Sequence, residues 1–472
     1  MGKFKQFFAP KNMSEGAPWK RLAEFAIPML IGNLVQQLYN TVDTVIVGNS
    51  HWGYQALAAV SSAGPVLRLL MALFVGIATG TGIIVSQYFG AKNKEGLGRT
   101  IGNCITLTAI ASVFSMIVGP MLIGPMLNLV NTLPELYDYS RQYLVIYFAG
   151  ISGMFFYNIF SGILRGMGDS TSALLYLMTT AVLNVFGDLL LVNKYGVAGV
   201  AIATVVAQII SAILCVRKVL SLKQYVHLEK DYFRPHKDYA MRIIKLGIPS
   251  GITGAISSLS GLAVQRLINS FGDAMFVAAN GLTIRVDGYA MMPTFSFGMA
   301  MSTFTGQNIG AGRMDRLKLG LKQCLIMSVS IAAIMTPAVL FGGPYLLRLF
   351  TPEQELNDLV MSLIHVLAIG YVFSAVSNVL QGVVRGAGDT MSPMWISMGN
   401  AIGLRLVLAY ALVALTKNMG LPVRTQEQMV FLSMSIVWVT GALLTYFVYK
   451  RGKWKNIRVI QRSTPAPSEA EA

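Results

Sequence analysis

Three acids lie inside long apolar runs of this 472-residue sequence: Asp43, Asp188 and Asp287. An ionisable side chain at the centre of a bilayer costs about 2.5–3.5 kcal/mol on insertion scales, so each is a functional candidate by default. Asp43 and Asp188 fall at similar distances from the outer ends of their runs, which puts them at similar depth and able to share a cavity. Gln36, Asn40 and Asp43 follow a spacing of four and three that places them on one helix face. Asn184 and Asp188 share a face in the same way, Thr204 and Gln208 follow at i, i+4, and Asn158 adds a further amide. Two carboxylates ringed by amides and a hydroxyl, with no wet loop around them, suit a proton or a sodium ion at Asp43 and Asp188. Oxygen ligands serve a hard cation, and two desolvated like charges favour cation uptake. The plainer alternative is that these groups only bond helix to helix.

The second half is built differently, with Gln265, Arg266, Arg285, Asp287 and Arg405 inside or beside its apolar runs. Opposite charges there can neutralise each other, so an Asp287 pair with Arg405 or Arg285 is expected, and a second coupling site is the sharper reading. Gln36, Asn40, Gln208, Gln265, Asp287 and Arg405 are substrate-pathway candidates, and His365 reads as an interfacial histidine. Pro28 removes a backbone hydrogen bond in the run that carries Asp43, which makes it a candidate hinge.

The elements that must hold these residues are membrane helices. The sequence is 54% apolar and 12% charged, with a mean hydropathy of +0.58, against roughly 25% charged in soluble domains. Twelve runs of spanning length are predicted: 22–47, 56–88, 100–123, 138–164, 171–193 and 197–217, then 244–271, 276–306, 319–343, 358–384, 391–415 and 427–449. With both termini cytoplasmic, the opposite loops hold only Lys194, Arg348, Lys417 and Arg424, the asymmetry expected of a multi-pass protein. That asymmetry also accounts for the net charge of +16 without nucleic acid. Cys104, Cys215 and Cys324 have neither disulfide nor zinc spacing.

A repeat at a fixed offset of 220 residues divides the chain. Gln87, Gly90, Ala91 and Cys104 return as Gln307, Gly310, Ala311 and Cys324, and Asn158, Gly162, Arg165, Gly166, Gly168 and Asp169 return as Asn378, Gly382, Arg385, Gly386, Gly388 and Asp389. Ile27-Pro28 recurs as Ile248-Pro249. Six crossings per copy make the halves parallel, a common transporter plan with the pathway between them. The expected fold is all-α and polytopic, with two parallel six-helix bundles. Its parts are a cytoplasmic amino terminus (1–21), a first bundle (22–217), a linker (218–243), a second bundle (244–449) and a cytoplasmic tail (450–472). The tail's composition cannot bury a core beyond about Arg462. The repeated Arg-Gly-x-Gly-Asp segment reads as a capped turn between helices rather than a ligand site.

The run from Ile27-Pro28 to Asn40-Thr41-Val42-Asp43, the Gln87-Tyr88-Phe89-Gly90-Ala91 ending, the paired turns and Asn184-x-x-x-Asp188 together resemble the multidrug and toxic compound extrusion (MATE) family of the MOP flippase superfamily, over roughly residues 20–450. The resemblance implies a twelve-helix antiporter that expels organic cations or other amphipathic compounds in exchange for protons or sodium ions. Carried onto this sequence, the family's amino-lobe cation site falls on Asp43, Asn158, Asn184, Asp188 and Thr204. Where the NorM-like branch has acids in its seventh and tenth helices, this sequence has Gln265 and Arg266 in the seventh run and no acid inside the tenth, closer to the DinF-like branch. The expectation is a secondary active exporter in a bacterial inner membrane, working as a monomer on small molecules. It needs no cofactor beyond the coupling ion, binds no nucleic acid and is not an enzyme. A flippase for lipid-linked oligosaccharide is the alternative, kept alive by Arg68, Arg266, Arg285 and Arg405.

Overall fold

The computed structural model describes residues 9–129, 132–348, 350–457 and 459–460; the tail beyond Arg462 lies outside them. Its long α-helices follow the apolar runs. The first lobe holds α1 (Pro18–Gly48), α2 (Gly53–Gly90), α3 (Lys94–Leu129), α4 (Pro134–Ala149), α5 (Ile151–Gly166), α6 (Ser170–Tyr195) and α7 (Val197–Ser221). The second holds α8 (Lys237–Asn269), α9 (Ala274–Gly310), α10 (Met314–Arg348), α11 (Gln354–Gly386), α12 (Met391–Met398), α13 (Arg405–Asn418) and α14 (Val423–Arg451). Nine of these segments are long and apolar enough to cross a bilayer, counting α12 and α13 as one, and the α4–α5 pair, bent by 54°, makes a tenth. The two remaining spans, α1 and α9, are long enough, at 31 and 37 residues, but diluted by polar side chains. Twelve spans in two six-span bundles result, and the two polar ones face each other between the bundles.

Departures from straight helices have local causes. Gly150 sits at the α4–α5 bend, where a Cβ would collide with Val205 of α7. A π-helical turn, Gly399–Leu404, joins α12 to α13, and Ser260 Oγ satisfies the Ala401 carbonyl there at 2.6 Å. Both copies of the Arg-Gly-x-Gly-Asp segment form the expected turn. Gly168 (φ 82°) and Gly388 (φ 103°) are left-handed, and Asp169 and Asp389 each accept from the backbone N–H of a serine three residues on at 2.9 Å, capping the next helix.

The lobes exchange the beginnings of their first helices. Leu22, Phe25 and Ala26 of α1 pack with Phe297 and Phe304 of the second lobe, whereas Val47 at the far end packs with Phe148 and Val192 of the first. α8 does the reverse: Ile243 and Leu246 join Ile84 and Ile163 in the first lobe, and Val264 and Ile268 join Phe276 in the second. Its crossing with α2 is backbone against backbone, because Gly76 and Gly80 meet Gly251 and Gly247. A Cβ on Gly247 would lie 2.7 Å from Ile77 Cα, and one on Gly251 2.8 Å from Leu73 Cα. Small residues four apart on both helices permit this approach. Gly247→Val should therefore cost about 1–3 kcal/mol or more in overpacking, seen as a lower unfolding midpoint in detergent; an unchanged midpoint would show that the seam has slack.

On the side that carries both termini the lobes are locked by a reciprocal pair. Gln87 Nε2 on α2 donates to the Gly386 carbonyl at 3.0 Å, and its counterpart Gln307 on α9 donates to the Gly166 carbonyl at 3.0 Å. Gly90 and Gly310 let these helix ends touch, since a Cβ on either would collide with the backbone carbonyl of the other helix's glutamine. Residues 9–16 cover this contact. Met13 is buried, its N–H donates to Gln307 Oε1 at 2.7 Å, and its carbonyl accepts from Arg316 Nε and Nη2 at 3.3 Å. Trp454, Val459 and Ile460 are buried at the carboxy-terminal end, with Val459 against Gly388. This end of the molecule is closed.

Candidate functional site

Asp188 and Asn184 are both fully buried, one turn apart on α6. Gly187 between them lets α7 come close, since a Cβ there would stand 2.7 Å from that of Ala203. That closeness brings Thr204 to Asn184. In the amide orientation that satisfies both ends, Asn184 presents its oxygen to Thr204 (Oγ1 at 3.1 Å, backbone N at 3.2 Å). Its nitrogen then donates to Asp188 Oδ2 at 3.0 Å and to the Tyr39 hydroxyl at 3.2 Å. Tyr39 stands one turn before Asp43 on α1, and the Asp43 and Asp188 carboxyls are direct neighbours. Tyr143 of α4 lies within Coulombic range of both carboxyls. So does Tyr39, with Tyr147 of α4 close beside it. One oxygen of each acid, Asp43 Oδ1 and Asp188 Oδ1, has no hydrogen-bond partner among the described residues.

The carboxyl pair, called the chamber below, is thus surrounded by oxygen atoms, and two of its acceptors have no partner among the described residues. That donor set fits a proton or a monovalent hard cation. No third acid, histidine or cysteine joins the pair among the described residues.

The other expected residues are distributed. Asn158 donates to the Met154 carbonyl one turn back at 2.8 Å, within its own helix. Gln208 is one turn along α7 from Thr204, with its buried Oε1 unpartnered. Gln36 and Asn40 are exposed rather than turned to the carboxyl pair. The face they were expected to share is split, because Asn40 lies about 60° round the helix from Asp43 at 100° per residue. Asn40 instead lines a cleft of about 190 Å³ between the lobes, where Gln37, Asn40, Thr41 and Thr44 of α1 face Arg285 and Tyr289 of α9, with Phe350 at the rim. One turn towards the closed end of the molecule the same two helices touch, through Asn33 Nδ2 to Ser296 Oγ at 3.2 Å. So α1 has two polar faces, one on the carboxyl chamber and one on the inter-lobe cleft, which is why its composition is too polar for an ordinary span.

In the second lobe Gln265 accepts from Asn280 Nδ2 at 2.7 Å and donates to Asn269 Oδ1 at 2.8 Å, tying α8 to α9 near their outer ends. Asp287 has Tyr371 and Arg405 as its polar neighbours. Among the described residues the expected direct ion pair does not form: Arg405 Nη2 donates to Met434 Sδ at 3.5 Å, and the Tyr371 hydroxyl is the nearer polar neighbour of Asp287. Arg285 turns away from Asp287 into the cleft. His365 is exposed, and its Nδ1–H donates to the Met361 carbonyl of its own helix at 2.6 Å. Pro28 lies inside a continuous α1. Sequence reasoning passed over Tyr39, Tyr143 and Tyr147; the available signal was the one-turn spacing of Tyr39 before Asp43 and of Tyr143 before Tyr147.

Comparison with known proteins agrees with this architecture. The MatE family matches residues 28–190 and 249–411, one match in each lobe. The chain is 29% identical over 417 residues to "Probable multidrug resistance protein YoeA" of Bacillus subtilis, covering 86% of this chain and 89% of that one. It is 22% identical over 466 residues to "Probable multidrug resistance protein NorM" of Thermotoga maritima, covering 97% of each. Among solved structures, a MOP superfamily transporter from Pyrococcus furiosus superposes with a TM-score of 0.85 at 22% identity, over 94% of this chain and 97% of that one. A second, described as the outward-facing conformation of a multidrug resistance MATE family transporter, gives 0.86 at 22% identity, again over 94% and 97%. With the family matched once in each lobe and over more than half of its length, the chain belongs to the MatE family.

Proposed function

We propose that this protein is a secondary active multidrug exporter. In this reading a cation, proton or sodium, enters the Asp43–Asp188 chamber and drives release of an organic cation or other amphipathic compound from the inter-lobe cleft. The observation that carries the reading is α1 itself, which presents Asp43 to the chamber on one face and Gln37, Thr41 and Thr44 to the cleft on the other. A cation bound between Asp43 and Asp188 removes the repulsion between α1 and α6, and any change in how α1 sits on α6 moves the cleft wall. Transport then alternates between the arrangement described here, closed on the terminal side, and one in which the lobes part there. The Lys and Arg asymmetry supports cytoplasmic termini and an inner-membrane location, and two lobes in one chain enclose the whole pathway, which supports a monomer.

The test is efflux of a fluorescent organic cation from proteoliposomes under a proton gradient and a sodium gradient imposed separately. Transport under one gradient alone names the coupling ion, and no transport under either across a panel of organic cations and amphipathic carboxylates sinks the antiport reading. Pro28 gives a second check. It leaves a gap in the hydrogen bonding of α1 between the end buried in the second lobe and the end carrying Asp43. Pro28→Ala closes that gap and should leave a folded protein whose gradient-driven efflux falls several-fold; wild-type efflux would remove the hinge.

A further inference from the structure

Arg285 shares with Arg68, Arg141 and Arg266 an exposed guanidinium without a hydrogen bond or ion pair among the described residues, and is set apart from them by its place on the wall of the inter-lobe cleft. Arg165 donates to Ser161 Oγ at 2.6 Å and Arg385 to Gln381 Oε1 at 2.9 Å, each back onto its own helix. Arg405 has Asp287 beside it. Arg285 is exposed on the wall of the inter-lobe cleft and makes no hydrogen bond or ion pair among the described residues. Its only described interaction is with the Phe350 ring, whose centroid is 6.0 Å from the guanidinium carbon. A charge placed on a span without a partner is costly and marks a ligand pathway.

The opposite wall explains what is missing. The Thr41 and Thr44 hydroxyls donate to the Gln37 and Asn40 carbonyls of their own helix, at 2.9 and 2.8 Å. Their protons are thus used, and Gln37 and Asn40 offer neutral amides. Asp43 lies on the other face of α1, and Asp287 faces α11 and α13. Among the described residues the cleft therefore has one positive charge, no negative one, and aromatic surface from Tyr289 and Phe350. Its complement is a single negative charge on an apolar or aromatic body.

We propose that Arg285 is a specificity-determining residue that selects amphipathic compounds bearing one carboxylate, anionic or zwitterionic, through a forked guanidinium–carboxylate contact beside Phe350. The proposal rests on the cleft being the substrate site of the exporter described above, and it narrows the substrate class from cations to carboxylate-bearing amphiphiles. A planar guanidinium matches a carboxylate with two parallel N–H···O bonds, a geometry that lysine does not reproduce. The single positive charge matches a monoanion without leaving excess charge in the cleft.

The test uses dansylglycine and dansylglycinamide, which share a fluorescent body and differ in one carboxylate, titrated onto the purified full-length protein in detergent. Wild type should bind the acid about tenfold more tightly than the amide, about 1.4 kcal/mol. Arg285→Gln should erase that preference by weakening the acid alone, with the amide unchanged within about twofold, which also shows that the variant is folded. Arg285→Lys should keep only part of it. Equal affinity of wild type for the two compounds, a preference that survives in Arg285→Gln, or binding of neither compound would each overturn the proposal. Binding is read without any gradient. An acid preference without gradient-driven efflux would therefore leave Arg285 in place and remove antiport, while driven efflux without an acid preference would do the opposite.

Discussion

Asp188→Asn should abolish gradient-driven efflux while leaving the protein folded. Asparagine keeps the size of the side chain and can still accept from Asn184, whose amide nitrogen now reaches Asp188 Oδ2 at 3.0 Å. What disappears is the charge that, in the proposed mechanism, holds the cation together with Asp43. Charge-assisted contacts contribute about 1.5–3 kcal/mol each, so cation affinity should fall roughly 10- to 150-fold. The loss in coupled transport is larger than a loss of affinity alone suggests. An exporter whose cation site no longer discriminates loaded from empty gains nothing from the gradient, because a ligand shifts a conformational equilibrium only by its differential affinity. Asp43→Asn should behave alike, since the proposed site uses both carboxyls. Asp287→Asn is the informative control. Asp287 stands in the other lobe beside Tyr371 and Arg405, so its removal should leave the response to the gradient in place. Proteoliposome efflux driven by the ion identified for wild type measures all three, and driven efflux at the wild-type rate in Asp188→Asn would take the chamber out of the mechanism.

How much of this was legible in the sequence depends on whether the signal is local. Most of the twelve spans are, because each is a run of apolar residues of bilayer length, and the two more polar ones, α1 and α9, still stand between clear polar breaks. The paired turns are too, because a left-handed glycine followed by a capping aspartate is a local pattern. Asp43, Asn184, Asp188 and Thr204 are conspicuous because polar groups are rare in such runs, and the structure brings these four together. The bend at Gly150 and the π turn at Gly399–Leu404 are not legible, since they answer to Val205 and Ser260 on other helices. Phenols pass for packing in an apolar run, so Tyr39, Tyr143 and Tyr147 were overlooked. Gln36 and Asn40 illustrate the opposite error: residues within about 60° of each other count as one face on a helical wheel, but two neighbouring elements can divide that face. Gly76, Gly80, Gly247 and Gly251 display small-residue spacing openly. Nothing in either segment says that the other is its partner, and the exchange of helix beginnings between lobes is invisible for the same reason.

The second large effect is expected from Gln307→Leu, at the closed end of the molecule. Gln307 is fully buried, and it accepts from the Met13 N–H while donating to the Gly166 carbonyl. Leucine fills nearly the same space and satisfies neither group. Each buried polar group left unpaired costs about 1–3 kcal/mol, so the closed arrangement should lose at least about 2 kcal/mol, roughly a 30-fold shift in population. The loss falls on this arrangement alone, because once the lobes part at this end water reaches both groups. Gln87→Leu orphans only the Gly386 carbonyl and should shift the balance less, although the two glutamines are equivalent in the repeat. Hydrogen exchange read by mass spectrometry measures the effect: residues 9–16 should exchange roughly 30-fold faster in Gln307→Leu, and protection as strong as in wild type would show that the glutamines do not hold the lobes together. Residues 9–16 run directly into α1, whose first turns pack in the second lobe and whose far end carries Asp43. Releasing them frees the helix on which the cation chamber depends, so gradient-driven efflux should fall along with protection. Faster exchange with undiminished efflux would instead mean that the seal and the coupling site work independently, with the hinge at Pro28 absorbing the motion between them.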